Sequence, residues 1–142
     1  GLVSYLLGIE TPEQMIRDPL LGNIFENFVV IEALKTRLNL GLEPNLYFFR
    51  NSNGLEIDLI LQEQNKLKLF EIKSGKSLND EFCRNMKNFS AKYNEDIVSD
   101  SIKGTVIYSG ETYESYKDFR FYNFSNIPQL FESKTSTFRL HF

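Results

Sequence analysis

The chain lacks most of the residues from which thiol and zinc chemistry is built. Its 142 residues include one cysteine, one histidine and no tryptophan. A single thiol cannot close an internal disulfide, which is typical of a reducing compartment and predicts a cytoplasmic protein. With no second cysteine or nearby histidine to complete a zinc site, Cys83 is expected to be a small helix residue. The only histidine, His141, lies in the C-terminal tail, where no function is expected for it.

Long apolar runs and an excess of positive charge are also missing. No apolar run approaches the ~20 residues of a membrane span, and no signal-peptide pattern is present, so no membrane partner is expected. The net charge of −3 argues against a protein that coats nucleic acid non-specifically, although it leaves room for a local basic patch. The candidates for such a patch, which are equally compatible with an ordinary solvated surface, are Lys66, Lys68, Lys76, Arg84 and Lys87.

What the chain does contain is enough apolar material for one globular domain. Hydrophobic residues make up 42% of the sequence, with thirteen phenylalanines and seven tyrosines. The chain opens on the apolar stretch GLVSYLLGI rather than on methionine. We therefore expect a fragment in which residues 1–18 end a helical linker from a missing upstream module and residues 19–142 form the domain.

A long helix is predicted at residues 19–40. Asp18-Pro19 begins it and Gly41 ends it. The helix is apolar around most of its circumference, which predicts burial on several sides. Within it, Glu26 lies on an apolar stripe with Val29, Val30 and Ala33, where a carboxylate needs a partner.

The remaining pattern predicts an α/β fold with a central mixed sheet flanked by helices. Strands are predicted at 46–50, 55–62, 67–73, 104–109 and 119–124, and helices at 80–93 and 125–132. Residues 111–118 are polar with interspersed tyrosines, and no helix or strand is predicted there. The second and third strands are apolar on both faces, as central strands are. The core order is therefore αβββαβ.

Charged residues interrupt these two central strands. Asp58 lies on the second strand, and Glu71 and Lys73 share one face of the third with Leu67 and Leu69. Buried charges must be paired, bind a metal or lie at an open end of the sheet. Glu71 and Lys73 are compatible with a structural ion pair as well as with a functional site. Likewise, Glu56 shares a face with Asp58 but is equally compatible with a simple ion pair with Arg50.

An aspartate on one strand and an E-x-K motif on the next resemble the PD-(D/E)XK nuclease superfamily. A more specific similarity covers residues 1–110, to the nuclease-fold domain of unknown function at the C-terminal end of bacterial and archaeal AAA-type ATPases. It is carried by Gly22-x-x-Phe25-Glu26-x-x-Val29-Val30, Tyr47-x-x-Arg50, Gly54-x-Glu56-x-Asp58 and Glu71-Ile72-Lys73-Ser74-Gly75. No GxxxxGK[ST] motif is present, so the resemblance places the ATPase module upstream of Gly1.

The resemblance implies a restriction-endonuclease-like core and a metal-dependent DNA hydrolase. Asp58, Glu71 and the Ile72 carbonyl would bind Mg²⁺ or Mn²⁺, Lys73 would orient water or stabilise negative charge, and Glu26 would join from the helix. The alternative is a non-catalytic accessory domain that binds nucleic acid or protein, or that helps the ATPase to assemble.

Overall fold

The computed structural model describes residues 19–93 and 101–133, with side chains from residue 22 onwards. Helix α1 spans Pro19–Asn39, close to the predicted 19–40. Gly41 ends it with a φ of 71°, a left-handed conformation that glycine adopts without steric cost. The expectations for residues 1–18 and for His141 lie outside the described residues.

A six-stranded mixed sheet forms the centre of the domain, which confirms the predicted α/β class. Its strand order is β1-β2-β3-β4-β6-β5. The strands β3, β4 and β6 run parallel, and β1–β2, β2–β3 and β5–β6 pair antiparallel. The bounds are Leu46–Arg50 for β1, Glu56–Glu63 for β2, Lys66–Ile72 for β3, Thr105–Tyr108 for β4, Tyr113–Tyr116 for β5 and Phe119–Asn123 for β6.

Two shorter helices follow the predicted positions, each with a 3-10 turn at its start. The predicted helix 80–93 is a 3-10 turn, Asp80–Cys83, followed by α2, Arg84–Tyr93. The Asn79 side chain begins the turn by accepting a hydrogen bond of 2.9 Å from the Glu81 N–H. The predicted helix 125–132 is a 3-10 turn, Phe124–Asn126, followed by α3, Ile127–Phe131.

The helices cover both faces of the sheet. On one face, α1 and α3 bury Phe25, Val29 and Phe131 against sheet residues that include Leu61 and Phe70. On the other face, α2 buries Met86 and Phe89 against a cluster that includes Leu69, Val106 and Phe121. The two-sided cover explains why the central strands carry so few polar residues.

The burial of helix α1 differs from the prediction. Only one side of the helix is buried, at every fourth residue from Phe25 to Arg37. Apolar side chains on the other side are exposed. The exposed ones are Phe28, Ile31, Leu34 and Leu38. Burial on several sides is therefore wrong for the described residues, because the sheet contacts a single face of the helix. None of the described helices, α1 included, is both long and apolar enough to cross a membrane.

Strand β5 was not expected from the sequence. Tyr113 and its neighbours form an exposed edge strand that pairs antiparallel with β6. A polar edge strand has no buried face to impose an alternating pattern, so its sequence is hard to distinguish from a loop.

A buried arginine joins three elements at the end of α1. Arg37 completes the buried stripe of that helix, with its side chain 3% exposed. Its Nη1 donates to Glu63 Oε2 at 3.1 Å and to the Phe131 carbonyl at 3.2 Å, and its Nε donates to the Glu43 carbonyl at 3.0 Å. One guanidinium thus connects α1 to the end of β2 and to the end of α3.

Candidate functional site

The candidate site is centred on an irregularity in β2. Along β1, Tyr47 pairs with Ile60 and Phe49 pairs with Ile57, so two steps on β1 correspond to three on β2. The extra residue is a β-bulge at Asp58 and Leu59. It explains how Ile57 and Ile60, three residues apart, pack into the same core cluster on the α2 face. Bulges re-aim side chains, and here the re-aimed region contains the predicted aspartate.

Asp58 is held in place by the neighbouring strand. Its Oδ2 accepts a hydrogen bond of 2.8 Å from the backbone N–H of Ile72 on β3. The prediction that Asp58 and Glu71 lie on adjacent strands is confirmed, because β2 and β3 pair directly. The hydrogen bond fixes the orientation of the Asp58 carboxylate against β3.

Glu71 is the most perturbed carboxyl group of the site. It is 3% exposed, and its Oε1 has no hydrogen-bond partner. Burial raises its pKa to about 8, and the charge of Asp58 and a side-chain hydrogen bond with Asp58 add to the rise. A buried acceptor without a partner costs free energy, so the fold keeps this group at the expense of stability.

Lys73 lies near Glu71 without forming an ion pair with it. Within the described part of the chain, no carboxylate oxygen is within 4.0 Å of Lys73 Nζ. Its Nζ lies 5.7 Å from the centre of the Phe82 ring, a weak cation–π contact. The charge of Lys73 nevertheless lowers the pKa of Glu71, against the larger effect of burial.

Glu26 reaches the same electrostatic environment from α1. Burial raises its pKa, followed by the charge of Asp58, while Lys73 lowers it. An open cleft of about 420 Å³ is lined by residues of α1, β1 and β2, and both Glu26 and Asp58 border it. Solvent therefore reaches these two acids, whereas Glu71 is buried on the neighbouring strand.

The residues suit a magnesium ion that keeps several waters better than a metal ion whose ligands all come from the protein. Within residues 19–93 and 101–133, no group of three or more His, Cys, Asp or Glu side chains is arranged to hold a metal. Mg²⁺ commonly uses one or two carboxylates and keeps several waters. Two carboxyl groups that share a hydrogen bond, one with an orphaned buried oxygen, provide such a donor set. A divalent cation would also relieve the repulsion between them.

Three of the other charged candidates have ordinary partners. Arg50 Nε lies 3.0 Å from Glu56 Oε1, so the expected pairing of these two residues is confirmed. Lys68 Nζ lies 3.5 Å from Glu63, and Lys87 lies over the Phe119 ring at 5.6 Å. Cys83 is a buried residue at the end of its 3-10 helix, which agrees with the expected small helix residue.

The raised pKa of Glu71 predicts a pH-dependent stability. Because the folded protein holds this proton up to a pKa of about 8, against an ordinary value of 4.5, its contribution favours folding at low pH. That contribution is lost as the pH rises from about 4.5 towards 8. Without metal, we expect Glu71→Gln to be more stable than the wild type at pH 7 by about 3 kcal/mol, and nearly equally stable at pH 4.5.

Urea unfolding of both proteins between pH 4.5 and pH 8 measures this difference. The matched control is Glu111→Gln, which removes the charge of an exposed glutamate. Stability curves for the wild type and Glu71→Gln that run parallel across this range would contradict the prediction.

Comparison with known protein families yields a match. A family model matches residues 21–130, and its description is Domain of unknown function (DUF4143). Neither a curated protein nor a solved structure matches the chain. The matched region contains Glu26, Asp58, Glu71 and Lys73.

Proposed function

The chain belongs to the family described as Domain of unknown function (DUF4143), and from that starting point we propose that it hydrolyses phosphodiester bonds of DNA with a divalent metal ion. One observation carries the proposal. The Glu71 carboxyl group is buried with an orphaned oxygen beside Asp58, although this arrangement costs stability. Perturbed carboxyl groups that converge in this way are more frequent at functional sites than elsewhere.

The chemistry divides among the four side chains. Asp58, Glu71 and the Ile72 carbonyl would hold Mg²⁺ or Mn²⁺, which would supply charge neutralisation at phosphorus and a lower pKa for bound water. Lys73, whose ammonium has no carboxylate partner in the described part of the chain, orients the attacking water or donates to a phosphate oxygen. Glu26, with its raised pKa, takes part in proton transfer at the cleft.

The proposal includes a PD-(D/E)XK-type core attached to an upstream AAA-type ATPase. The order α1, β1, β2, β3, α2, β4 supports the first part, as does the position of the acids on neighbouring strands. The sequence phrases around Glu26, Asp58 and Glu71 support the second. A complete reading frame without a P-loop motif before residue 1 would contradict the attachment to an ATPase.

A second candidate function is a non-catalytic binding module. It is favoured by the exposed apolar side of α1, on which Ile31 and Leu38 are each 53% exposed. Large exposed apolar patches mark protein interfaces. The net charge of −3 favours a protein partner for such a module.

The Asp58→Asn substitution separates the two functions. It keeps the size of the side chain and removes one ligand charge, so we expect Mn²⁺ affinity to fall at least tenfold and plasmid nicking to be lost. Calorimetric titration with Mn²⁺ and a supercoiled-plasmid assay measure the two effects.

The matched control is Asp118→Asn, at an exposed turn residue with a φ of 70° that asparagine tolerates. It should bind Mn²⁺ and nick plasmid as the wild type does. Absence of Mn²⁺ binding by the wild type, or equal binding by Asp58→Asn, would leave the binding module as the better description.

A further inference from the structure

Strand β1 presents two large aromatic side chains to solvent at the edge of the sheet. Phe48 is 76% exposed and Tyr47 is 52% exposed. Single exposed apolar residues are common on protein surfaces, but adjacent aromatics on an edge strand are a hazard for aggregation unless they have a role. The next residue, Phe49, packs against Phe89 and Tyr93 with ring centres 5.1 and 5.3 Å apart. Phe49 therefore anchors the strand that carries the exposed rings.

The exposed rings lie beside the candidate site. Tyr47 pairs with Ile60 and Phe49 with Ile57, so Phe48 stands opposite the bulge that contains Asp58. Neighbouring strands are ~4.8 Å apart, a separation that one nucleotide can span. Phe48 and Tyr47 also line the same cleft as Asp58. A group stacked on the Phe48 ring would therefore lie in the cleft that Asp58 also borders.

We propose that Phe48 is a stacking platform for an unpaired base, so that the substrate is single-stranded or locally unpaired DNA. The inference rests on the proposed function and specifies its substrate. Exposed aromatic rings bind bases without regard to sequence, and only bases released from a duplex offer a free face. Stacking also supplies affinity that a chain of net charge −3 cannot obtain from phosphate contacts alone.

Fluorescence anisotropy with a labelled 15-nucleotide single strand tests the platform. Ca²⁺ replaces Mg²⁺ during the titration, and a parallel titration uses EDTA. We expect the wild type to bind the single strand at least tenfold more tightly than a duplex of the same sequence. Phe48→Ala should weaken single-strand binding about tenfold, and Phe48→Trp should retain it.

The matched control is Tyr113→Ala, which removes an aromatic ring of 44% exposure from β5 at the opposite edge of the sheet. It should leave single-strand binding unchanged, and all variants should melt within about 2 °C of the wild type, since surface substitutions have small effects.

Three results would overturn the platform: no preference of the wild type for the single strand, equal binding by Phe48→Ala, or equal losses in Phe48→Ala and Tyr113→Ala. Sedimentation provides a fourth contrary result. If Phe48→Ala abolished self-association without affecting DNA binding, the edge would be a protein interface. Plasmid nicking by the wild type that Asp58→Asn abolishes would preserve the proposed function in each of these cases. Conversely, single-strand binding that persists in EDTA and depends on Phe48 would preserve the platform even if no metal-dependent cleavage were found.

Discussion

Lys73→Ala is expected to bind Mn²⁺ as the wild type does and to cleave DNA about 100- to 1000-fold more slowly. Lysine is not a ligand for Mg²⁺ or Mn²⁺, so its removal leaves the carboxylates of Asp58 and Glu71 in place. The loss arises in the transition state, where one donor aimed at developing negative charge is worth that factor. Single-turnover cleavage of a labelled strand, combined with calorimetric Mn²⁺ titration, measures both quantities.

The control for this substitution is Lys76→Ala, which removes an exposed lysine three residues further along the chain. It should cleave at the wild-type rate. If Lys73 instead formed a structural pair with Glu71, Lys73→Ala would lower the unfolding free energy by several kcal/mol. The structure predicts a small change, because Lys73 Nζ lies beyond 4.0 Å of every carboxylate oxygen in the described residues. A large loss of stability with unchanged cleavage would contradict the catalytic role.

Arg37→Ala is expected to destabilise the protein by about 3–5 kcal/mol, the range for breaking a buried ion pair by removing one of its partners. The substitution removes hydrogen bonds to Glu63, to the Glu43 carbonyl and to the Phe131 carbonyl. It also empties the space of a long side chain that is 3% exposed. Urea unfolding, followed by circular dichroism at pH 7, measures the change.

Lys35→Ala provides the comparison on the same helix. Its Nζ lies 3.2 Å from Glu32, but the lysine side chain is 60% exposed, so the pair should contribute no more than about 0.5 kcal/mol. Unfolding midpoints that agree between Arg37→Ala and Lys35→Ala would show that the arginine network contributes nothing beyond a surface pair.

The central part of the fold could be predicted because strands and helices have distinct hydrophobic periods, and because proline and glycine mark the ends of the long helix. The order of α1, β1, β2, β3, α2 and β4 is confirmed, as is the position of Asp58 and Glu71 on neighbouring strands. Whether these residues and Lys73 bind metal and cleave DNA stays a prediction.

Besides strand β5, three further features were beyond the sequence, each for a physical reason. Arg37 was not singled out, because an arginine near a helix end is usually solvated and its burial depends on chain segments far along the sequence. The apolar circumference of α1 did not reveal which side the sheet would contact. The bulge was hidden because residues 57–61 are apolar apart from Asp58 and show no alternation for an extra residue to disturb.

The bulge also restricts how β2 can change in evolution. Ile57 and Ile60 reach one core, and Leu59 and Leu61 reach the other, only while the strand contains one residue more than its partner. Removing that residue would turn either Ile57 or the run from Ile60 onwards towards the wrong face. Substitutions are therefore tolerated in this strand more readily than a change of length. The spacing of three between the two isoleucines, with the aspartate directly after the first, is a signature that a homologous chain with the same site should share.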